Sequence, residues 1–181
     1  DQDIDSKIER TAARPLASKK ITNFNAIIFL SILLFSGLFI LLQFKLETIL
    51  VGLLCTPLIV LYPIMKRITF WPQLFLGIIF NWGVIICSIE FFGSITKDYL
   101  FFYLACVLWT IGYDTIYAYQ DIKDDKRNNI KSTAVLLKDN GKYFVLISYI
   151  LMFIIIGYLS FNQTIEIIKL LVFLGIFIYI I

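Results

Sequence analysis

The chain has 181 residues, of which 60% are hydrophobic and 17% aromatic, and its 16 basic and 13 acidic residues give a net charge of +3. A composition this apolar is typical of a multi-pass membrane protein, which excludes an ordinary soluble domain and argues against a nucleic-acid surface. The chain contains no histidine, so imidazole-based acid–base catalysis and most zinc sites are excluded as well.

Apolar runs of about 20 residues recur along the chain, and each is long enough for one transmembrane helix. The runs are continuously apolar rather than alternating, which favours helices over membrane-spanning strands. We therefore predict an all-α fold, a polytopic membrane helical bundle of about six transmembrane helices. The predicted spans are Phe24–Phe44, Leu46–Met65, Trp71–Phe92, Tyr99–Tyr119, Tyr143–Phe161 and Thr164–Ile181. Pro57 and Pro63 predict a break or a kink in the second span.

Basic side chains are distributed unevenly between the two sides of this topology. Only Lys45, Lys97 and Lys169 fall on one side, and the other 13 lysines and arginines fall on the opposite side. The positive-inside rule identifies that opposite side as the cytoplasm or the mitochondrial matrix. Residues 1–20 and 120–142 both lie there, separated by four spans, so both can act on one polar ligand. The Ile-, Lys- and Asn-rich sequence favours the bacterial cytoplasmic membrane, with the mitochondrial inner membrane as the alternative.

A row of carboxylates lies at the cytoplasmic mouth of the fourth span. On one continuous helix at about 100° per residue, Asp114, Asp121 and Asp125 point within roughly 20° of one direction, and Tyr117 lies about 60° away. Acidic groups at membrane depth are costly and are therefore read as functional. The row predicts a bound cation.

A second acidic segment, Asp1-Gln-Asp-Ile-Asp5, repeats the i, i+4 spacing of Asp121 and Asp125. Carboxylates without histidine or clustered thiolates suit a hard cation such as Mg²⁺, which commonly binds one or two carboxylates together with phosphate oxygens. Basic residues follow both segments and suit a diphosphate anion. Lys66 and Arg67, at the end of the second span, either anchor that helix or bind the same anion.

These motifs resemble those of the UbiA family of intramembrane aromatic prenyltransferases. Asp1–Asp5 and Arg10-Thr-Ala-Ala-Arg14-Pro-Leu16 resemble the second half of an NDxxDxxxD motif and its RTxxRPL continuation. Tyr113–Asp125 and Lys131-Ser-Thr-Ala134 resemble the second aspartate-rich motif and its KSTA tail. Tyr62-Pro-Ile-Met-Lys66-Arg67 is similar to the branch that prenylates 4-hydroxybenzoate.

This resemblance implies transfer of a polyprenyl group from polyprenyl diphosphate to the ring of 4-hydroxybenzoate, ortho to the phenol, in ubiquinone biosynthesis. It assigns Mg²⁺ to Asp1, Asp5, Asp121 and Asp125. The implied catalytic residues are Asp114, Arg67 and Tyr117, and the implied substrate-binding residues are Arg10, Arg14, Lys66, Arg67 and Lys131. Arg10 and Lys131 would bind the diphosphate, Arg67 would bind the diphosphate or the aromatic carboxylate, and Asp114 would support the metal site or orient the aromatic acid.

The family fold has nine helices, so residues 1–181 are expected to form a single incomplete domain without the first two helices and the last. Without the start of the first motif, this fragment alone is expected to show no turnover. Three alternatives remain: another aromatic acceptor such as a naphthoate or homogentisate, a phospholipid-headgroup transferase, and an ion-coupled transporter. The headgroup transferase would carry one compact acidic motif rather than two. The transporter would place its acids near the membrane midplane, often within inverted repeats.

Overall fold

The computed structural model of the protein describes residues 2–162, and it describes the backbone alone for residues 3, 4, 161 and 162. Every regular element in this range is helical, which confirms the all-α prediction. Asp1 and the predicted sixth span, Thr164–Ile181, lie outside the described residues. The elements are α1 (Gln2–Asp5), α2 (Asn23–Leu41), α3 (Leu46–Ile68), α4 (Pro72–Phe80), α5 (Trp82–Phe92), α6 (Lys97–Gln120), α7 (Ile122–Arg127), α8 (Thr133–Leu137), a 3₁₀ turn (Lys138–Asn140) and α9 (Gly141–Asn162).

Within the described range, five helical stretches are long and apolar enough to cross a membrane: Asn23–Leu41, Leu46–Ile68, Pro72–Phe92, Lys97–Gln120 and Thr133–Ser160. They coincide with the first five predicted spans, although their ends differ by several residues. The main difference at the functional end is that α3 continues to Ile68, so Lys66 and Arg67 belong to its last helical turn. Both cationic side chains are therefore held by a regular helix rather than by a loop.

The third predicted span is interrupted, whereas the second is not. Helix α3 is continuous through Pro57 and Pro63, so of the break or kink predicted there, the break is wrong. The break occurs at Asn81, between α4 and α5. The Asn81 side chain donates to the Gly77 carbonyl at 2.8 Å and to Thr110 Oγ1 of α6 at 2.9 Å. An amide that binds the preceding turn and a neighbouring helix satisfies polar groups at the break, which permits an interruption at membrane depth.

Helix α6 lies centrally and packs against both α4 and α9. Glycines permit this close packing. A Cβ on Gly77 would lie 3.2 Å from the Val107 carbonyl oxygen, and a Cβ on Gly112 would overlap the ring of Tyr149 on α9. These contacts fix α6, and therefore its carboxylate-bearing end, against two neighbouring helices.

Gly112→Ala should lower the free energy of unfolding by about 1–3 kcal/mol, because the added methyl group forces the rigid Tyr149 ring out of its place. The matched control is Gly83→Ala on α5, where a Cβ would meet nothing within 4 Å. Denaturant titration of both variants in detergent micelles tests this expectation. Equal stability of the two variants would show that α6 and α9 are not packed as described.

Glu90 of α5 stabilises the end of the bundle that includes the turn between α2 and α3. Its carboxylate accepts hydrogen bonds from the Thr48 hydroxyl at 2.7 Å and the Lys45 backbone N–H at 3.2 Å, while the Lys45 ammonium donates to the Glu90 carbonyl at 2.5 Å. Thr48 is fully buried. These bonds join the turn between α2 and α3 to α5, so this end of the bundle has a structural polar cluster while the other end carries the acidic segments.

Candidate active site

The two acidic segments meet at one end of the bundle. The Arg10 guanidinium donates to both carboxylate oxygens of Asp121, from Nε at 2.9 Å and from Nη2 at 2.6 Å. The backbone N–H of Glu9 donates to Asp124 Oδ2 at 3.1 Å. The hydrogen bond with Asp121 is the main cause that raises the pKa of Arg10 above its ordinary value. These contacts join residues 111 and 115 positions apart, which agrees with the topology that places both segments on one side of the membrane.

The N-terminal segment is folded onto this end by its own contacts. Arg14 Nη1 donates to both carboxylate oxygens of Asp5 at 3.1 Å, and the Thr11 hydroxyl donates to the Asp5 carbonyl at 2.9 Å. Ile8 is only 3% exposed and packs against Ile130 in the loop after α7. Ile8 thus adds a buried apolar contact to the polar contacts that attach this segment.

Among the carboxylates of the site that the structure describes, Asp125 is the most buried, with 5% of the residue exposed. Burial raises the pKa of its carboxyl, and the hydrogen bond from Ser132 and the positive charge of Lys66 partly offset that shift. The Asp125 carbonyl accepts from the backbone N–H of Ile130 at 2.9 Å. Asp125 is therefore fixed by its own loop and by the start of α8.

Asp114 lies half-buried in α6, six residues before the end of that helix. The charges of Lys66 and Arg10 act on it, and Tyr62 of α3 lies within electrostatic range. Lys66 therefore acts on both Asp114 and Asp125, while Arg10 acts on both Asp114 and Asp121. The two cations connect the carboxylates into one charged network.

Two of the predicted catalytic side chains are exposed at the edge of this network. Tyr117 is 53% exposed, and its ring makes an edge contact with Tyr113 at 6.4 Å between centroids. Arg67 is exposed and makes no hydrogen bond or ion pair with the residues that the structure describes. Their side chains are accessible to a ligand, whereas Lys66, one position earlier, is half-buried.

The carboxylate row is predicted to lie on one continuous helix, but in the structure it does not. Helix α6 ends at Gln120, Asp121 occupies the junction with φ −98° and ψ 2°, and α7 begins at Ile122. The projection of Asp114, Asp121 and Asp125 onto one face is therefore wrong beyond Gln120. Asp121 instead accepts from Arg10 at the junction, while Asp125 is buried against Ser132.

Lys131, predicted to bind diphosphate, contacts the end of α3 in this structure. Its backbone N–H donates to the Lys66 carbonyl at 2.9 Å, and its ammonium donates to the Ile68 carbonyl at 3.0 Å and lies 5.5 Å from the centre of the Phe70 ring. A cation at a helix C-terminus satisfies terminal carbonyl groups and is favoured by the helix dipole. The role of Lys131 toward a diphosphate stays a prediction.

Four polar residues that the sequence analysis did not place in the site hold α8 against the bundle. The Thr133 backbone N–H donates to Gln73 Oε1 at 3.2 Å, and its hydroxyl is 2.9 Å from that of Thr115. Ser132 caps α8 and also binds Asp125. All four side chains are at most 4% exposed. Ser132 and Thr133 belong to the Lys131-Ser-Thr-Ala134 segment already noted for its resemblance, whereas Gln73 and Thr115 are polar residues within apolar runs, a signal that does not distinguish packing from site support.

The residues present fit a hard divalent cation by chemistry, since the candidate ligands are all aspartate oxygens. In this arrangement, Asp5 and Asp121 are each bound by an arginine. No group of three acidic or thiol side chains in the described part of the chain is arranged to hold a metal ion. Asp1, the remaining predicted ligand, lies outside the described residues. The fit is therefore one of donor type, and the two arginines compete with a metal ion for the oxygens of Asp5 and Asp121.

Comparison with known proteins identifies relatives over most of the chain. The UbiA prenyltransferase family matches residues 1–181. A protein of Drosophila melanogaster named "4-hydroxybenzoate polyprenyltransferase, mitochondrial" is 48% identical over 148 residues, covering 80% of this chain and 37% of that protein. The "4-hydroxybenzoate geranyltransferase 2" of Lithospermum erythrorhizon is 41% identical over 146 residues, covering 80% of this chain and 48% of that protein. The chain thus spans less than half the length of these two relatives.

A solved structure supports the fold independently. It is described as the apo structure of a UbiA homolog from Aeropyrum pernix K1, and the two chains align with a TM-score of 0.70 at 26% sequence identity. The alignment covers 86% of this chain and 60% of the archaeal one. The two chains therefore share their helical architecture over the aligned residues.

Proposed function

The chain belongs to the UbiA prenyltransferase family, and we propose that it carries the active-site region of an enzyme that transfers a polyprenyl group from polyprenyl diphosphate to the ring of 4-hydroxybenzoate. The observation that carries this proposal is the contact between the two acidic segments, made by Arg10 and Asp121. This contact gathers carboxylates and cations at the end of an apolar bundle. A lipid-linked diphosphate has the same division between a charged head and an apolar tail.

The proposed reaction breaks the C–O bond between the allylic carbon and the diphosphate, and the bonding electrons leave with the diphosphate. The allylic carbon then bonds to the ring carbon ortho to the phenol, and that ring carbon loses its proton. UbiA prenyltransferases generally depend on a divalent cation, and we propose Mg²⁺ here. It would neutralise charge developing on the diphosphate, with Asp1, Asp5, Asp121 and Asp125 as its ligands.

The other site residues have distinct proposed roles. Lys66 and Arg10 are placed to balance negative charge around the carboxylates, while Arg67 is free to bind the carboxylate of the aromatic acid. Asp114 orients that acid or supports the metal ligands. The apolar bundle and the surrounding bilayer accommodate the polyprenyl tail and limit the access of water to an allylic cation.

The acceptor and the membrane are proposed from the relatives. The fly and plant relatives differ in the prenyl group that their names print, but both names give 4-hydroxybenzoate as the acceptor. This favours 4-hydroxybenzoate over a naphthoate or homogentisate. The fly protein is named as mitochondrial, which supports the mitochondrial inner membrane and gives no support to the bacterial cytoplasmic membrane.

The test is an assay of membranes containing the full-length protein with labelled polyprenyl diphosphate and 4-hydroxybenzoate. Label should appear in the aromatic product, disappear on chelation of divalent cations and return with added Mg²⁺. A naphthoate and homogentisate, supplied in parallel, should yield little product. Transfer that persists at full rate in the presence of a chelator, or that occurs only with another acceptor, would contradict the proposal.

A further inference from the structure

Arginines bind two proposed metal ligands, one in each acidic segment. Arg10 spans both oxygens of Asp121, and Arg14 contacts both oxygens of Asp5 at 3.1 Å. Asp125 differs, because its described partner is the neutral hydroxyl of Ser132. Of the three proposed metal ligands that the structure describes, two therefore have a cationic side chain bound at the oxygens that a metal ion would use.

Guanidinium and metal binding compete at such a carboxylate. A bidentate arginine occupies about two of the four lone-pair sites of a carboxylate, and a divalent cation coordinates the same two oxygens. The positive charge of the arginine also repels the metal ion. A cation that coordinates Asp121 or Asp5 therefore competes with the arginine for the same oxygens, and it binds more tightly when the arginine moves away.

Both ion pairs are accessible enough to exchange. The Arg10 side chain is 45% exposed and that of Arg14 is 54% exposed, whereas their carboxylate partners are 14% and 20% exposed. Solvent-exposed ion pairs contribute little net stability, because water screens them and because the long side chains lose freedom. The carboxylates are thus held in position while the arginines remain free to swing toward solvent or toward another anion.

We propose that Arg10 and Arg14 are positioning residues that hold Asp121 and Asp5 in place until a divalent cation replaces them, and that the released guanidiniums then bind the diphosphate. This inference rests on the proposed function of the site. It couples the two ligands, because cation binding makes the arginines available to the anion. The diphosphate in turn removes the competitors of the cation, as thermodynamic reciprocity requires.

If arginine and metal ion exchange in this way, one substitution should raise the affinity for a divalent cation and lower the affinity for pyrophosphate. Without a diphosphate, Arg10→Gln should bind a divalent cation more tightly, because Asp121 loses its competitor. The same variant should bind inorganic pyrophosphate more weakly, because a diphosphate ligand is gone. A purely structural arginine would weaken both affinities on removal, and an arginine that only binds the diphosphate would leave the affinity for metal alone unchanged.

The experiment titrates the full-length protein in nanodiscs with Mn²⁺ as the probe, following the electron paramagnetic resonance signal of free Mn²⁺ in the absence of substrate. We expect the Kd for Mn²⁺ to fall by about 3–10-fold in Arg10→Gln, with an intermediate fall in Arg10→Lys, which keeps the charge but loses the planar fork. The matched control is Arg127→Gln, which removes an exposed arginine from the end of α7 and should change the Kd less than twofold.

A double-mutant cycle tests whether the change in Mn²⁺ affinity arises from the ion pair between Arg10 and Asp121. In an Asp121→Asn background, Arg10→Gln should no longer tighten Mn²⁺ binding, because the contested carboxylate is absent. Unchanged or weaker Mn²⁺ binding by Arg10→Gln, at a melting temperature equal to that of the parent, would overturn the exchange and leave the metal site intact. Failure of the parent and every variant to bind Mn²⁺ would instead overturn the metal site of the proposed function, and the exchange with it.

Discussion

Asp121→Ala and Asp125→Ala should each lower kcat/KM for prenyl transfer by about 10²–10³-fold, the usual cost of removing one preorganised group that stabilises developing charge. The two residues have different surroundings, since Asp121 is bound by Arg10 at the helix junction and Asp125 is buried against Ser132. We expect similar losses because both are proposed ligands of the same cation. Initial rates at saturating Mg²⁺ with both substrates varied measure the effect.

Asp124→Asn is the internal comparison for these variants. Asp124 accepts from the Glu9 backbone N–H and lies between the other two acids in the sequence, yet it is outside the proposed ligand set. Its substitution should cost less than about tenfold, the scale of one hydrogen bond. Asp121→Asn keeps the shape of the side chain and guards against misfolding of the alanine variant. An Asp124→Asn loss equal to that of Asp121→Asn would show that the acidic segment acts only through its total charge.

Lys66→Gln and Arg67→Gln should raise the KM values of different substrates. Lys66 is half-buried among Asp114 and Asp125, and Arg67 is exposed with no described partner. Arg67→Gln should raise the KM for 4-hydroxybenzoate by about 30–100-fold, because a charged hydrogen bond to a carboxylate is worth about 2–3 kcal/mol. Lys66→Gln should mainly raise the KM for polyprenyl diphosphate.

Steady-state kinetics with each substrate varied in turn separate these effects. A neutral acceptor analogue, 4-hydroxybenzamide, adds a direct control, since a lost contact with the carboxylate should matter little when the carboxylate is already replaced. If Arg67→Gln raised the KM for the diphosphate and left that for the acceptor unchanged, the assignment of Arg67 to the aromatic acid would be wrong.

The membrane-spanning helices were predictable because they depend on long apolar runs, a property of local composition. Their interruptions were not. Pro57 and Pro63 carry a clear local signal, yet α3 remains continuous, while the break at Asn81 depends on a hydrogen bond to Thr110 in another helix. A single side chain that hydrogen-bonds to a neighbouring helix produces no periodic pattern in the sequence.

The proximity of the N-terminal segment to residues 120–142 was predictable, but the pairing of individual side chains was not. Counting spans places residues 1–20 near residues 120–142, whereas the selection of Asp121 by Arg10 and of Asp5 by Arg14 depends on tertiary geometry. The assumed single helix face also failed, because α6 ends before Asp121. Contacts of this kind are set by local backbone turns that charge and spacing alone do not define.

The pairing of Arg10 with Asp121 also has a consequence for biosynthesis. The partners are separated by 111 residues, so at about 5–20 residues per second the ribosome needs roughly 5–20 s between them. During that interval the four spans between them are synthesised, and Arg10 has not yet met the carboxylate of Asp121. The contact between Arg10 and Asp121 can therefore form only after Asp121 has been synthesised, and nascent chains arrested before Asp121 should leave their N-terminal segment open to proteolysis.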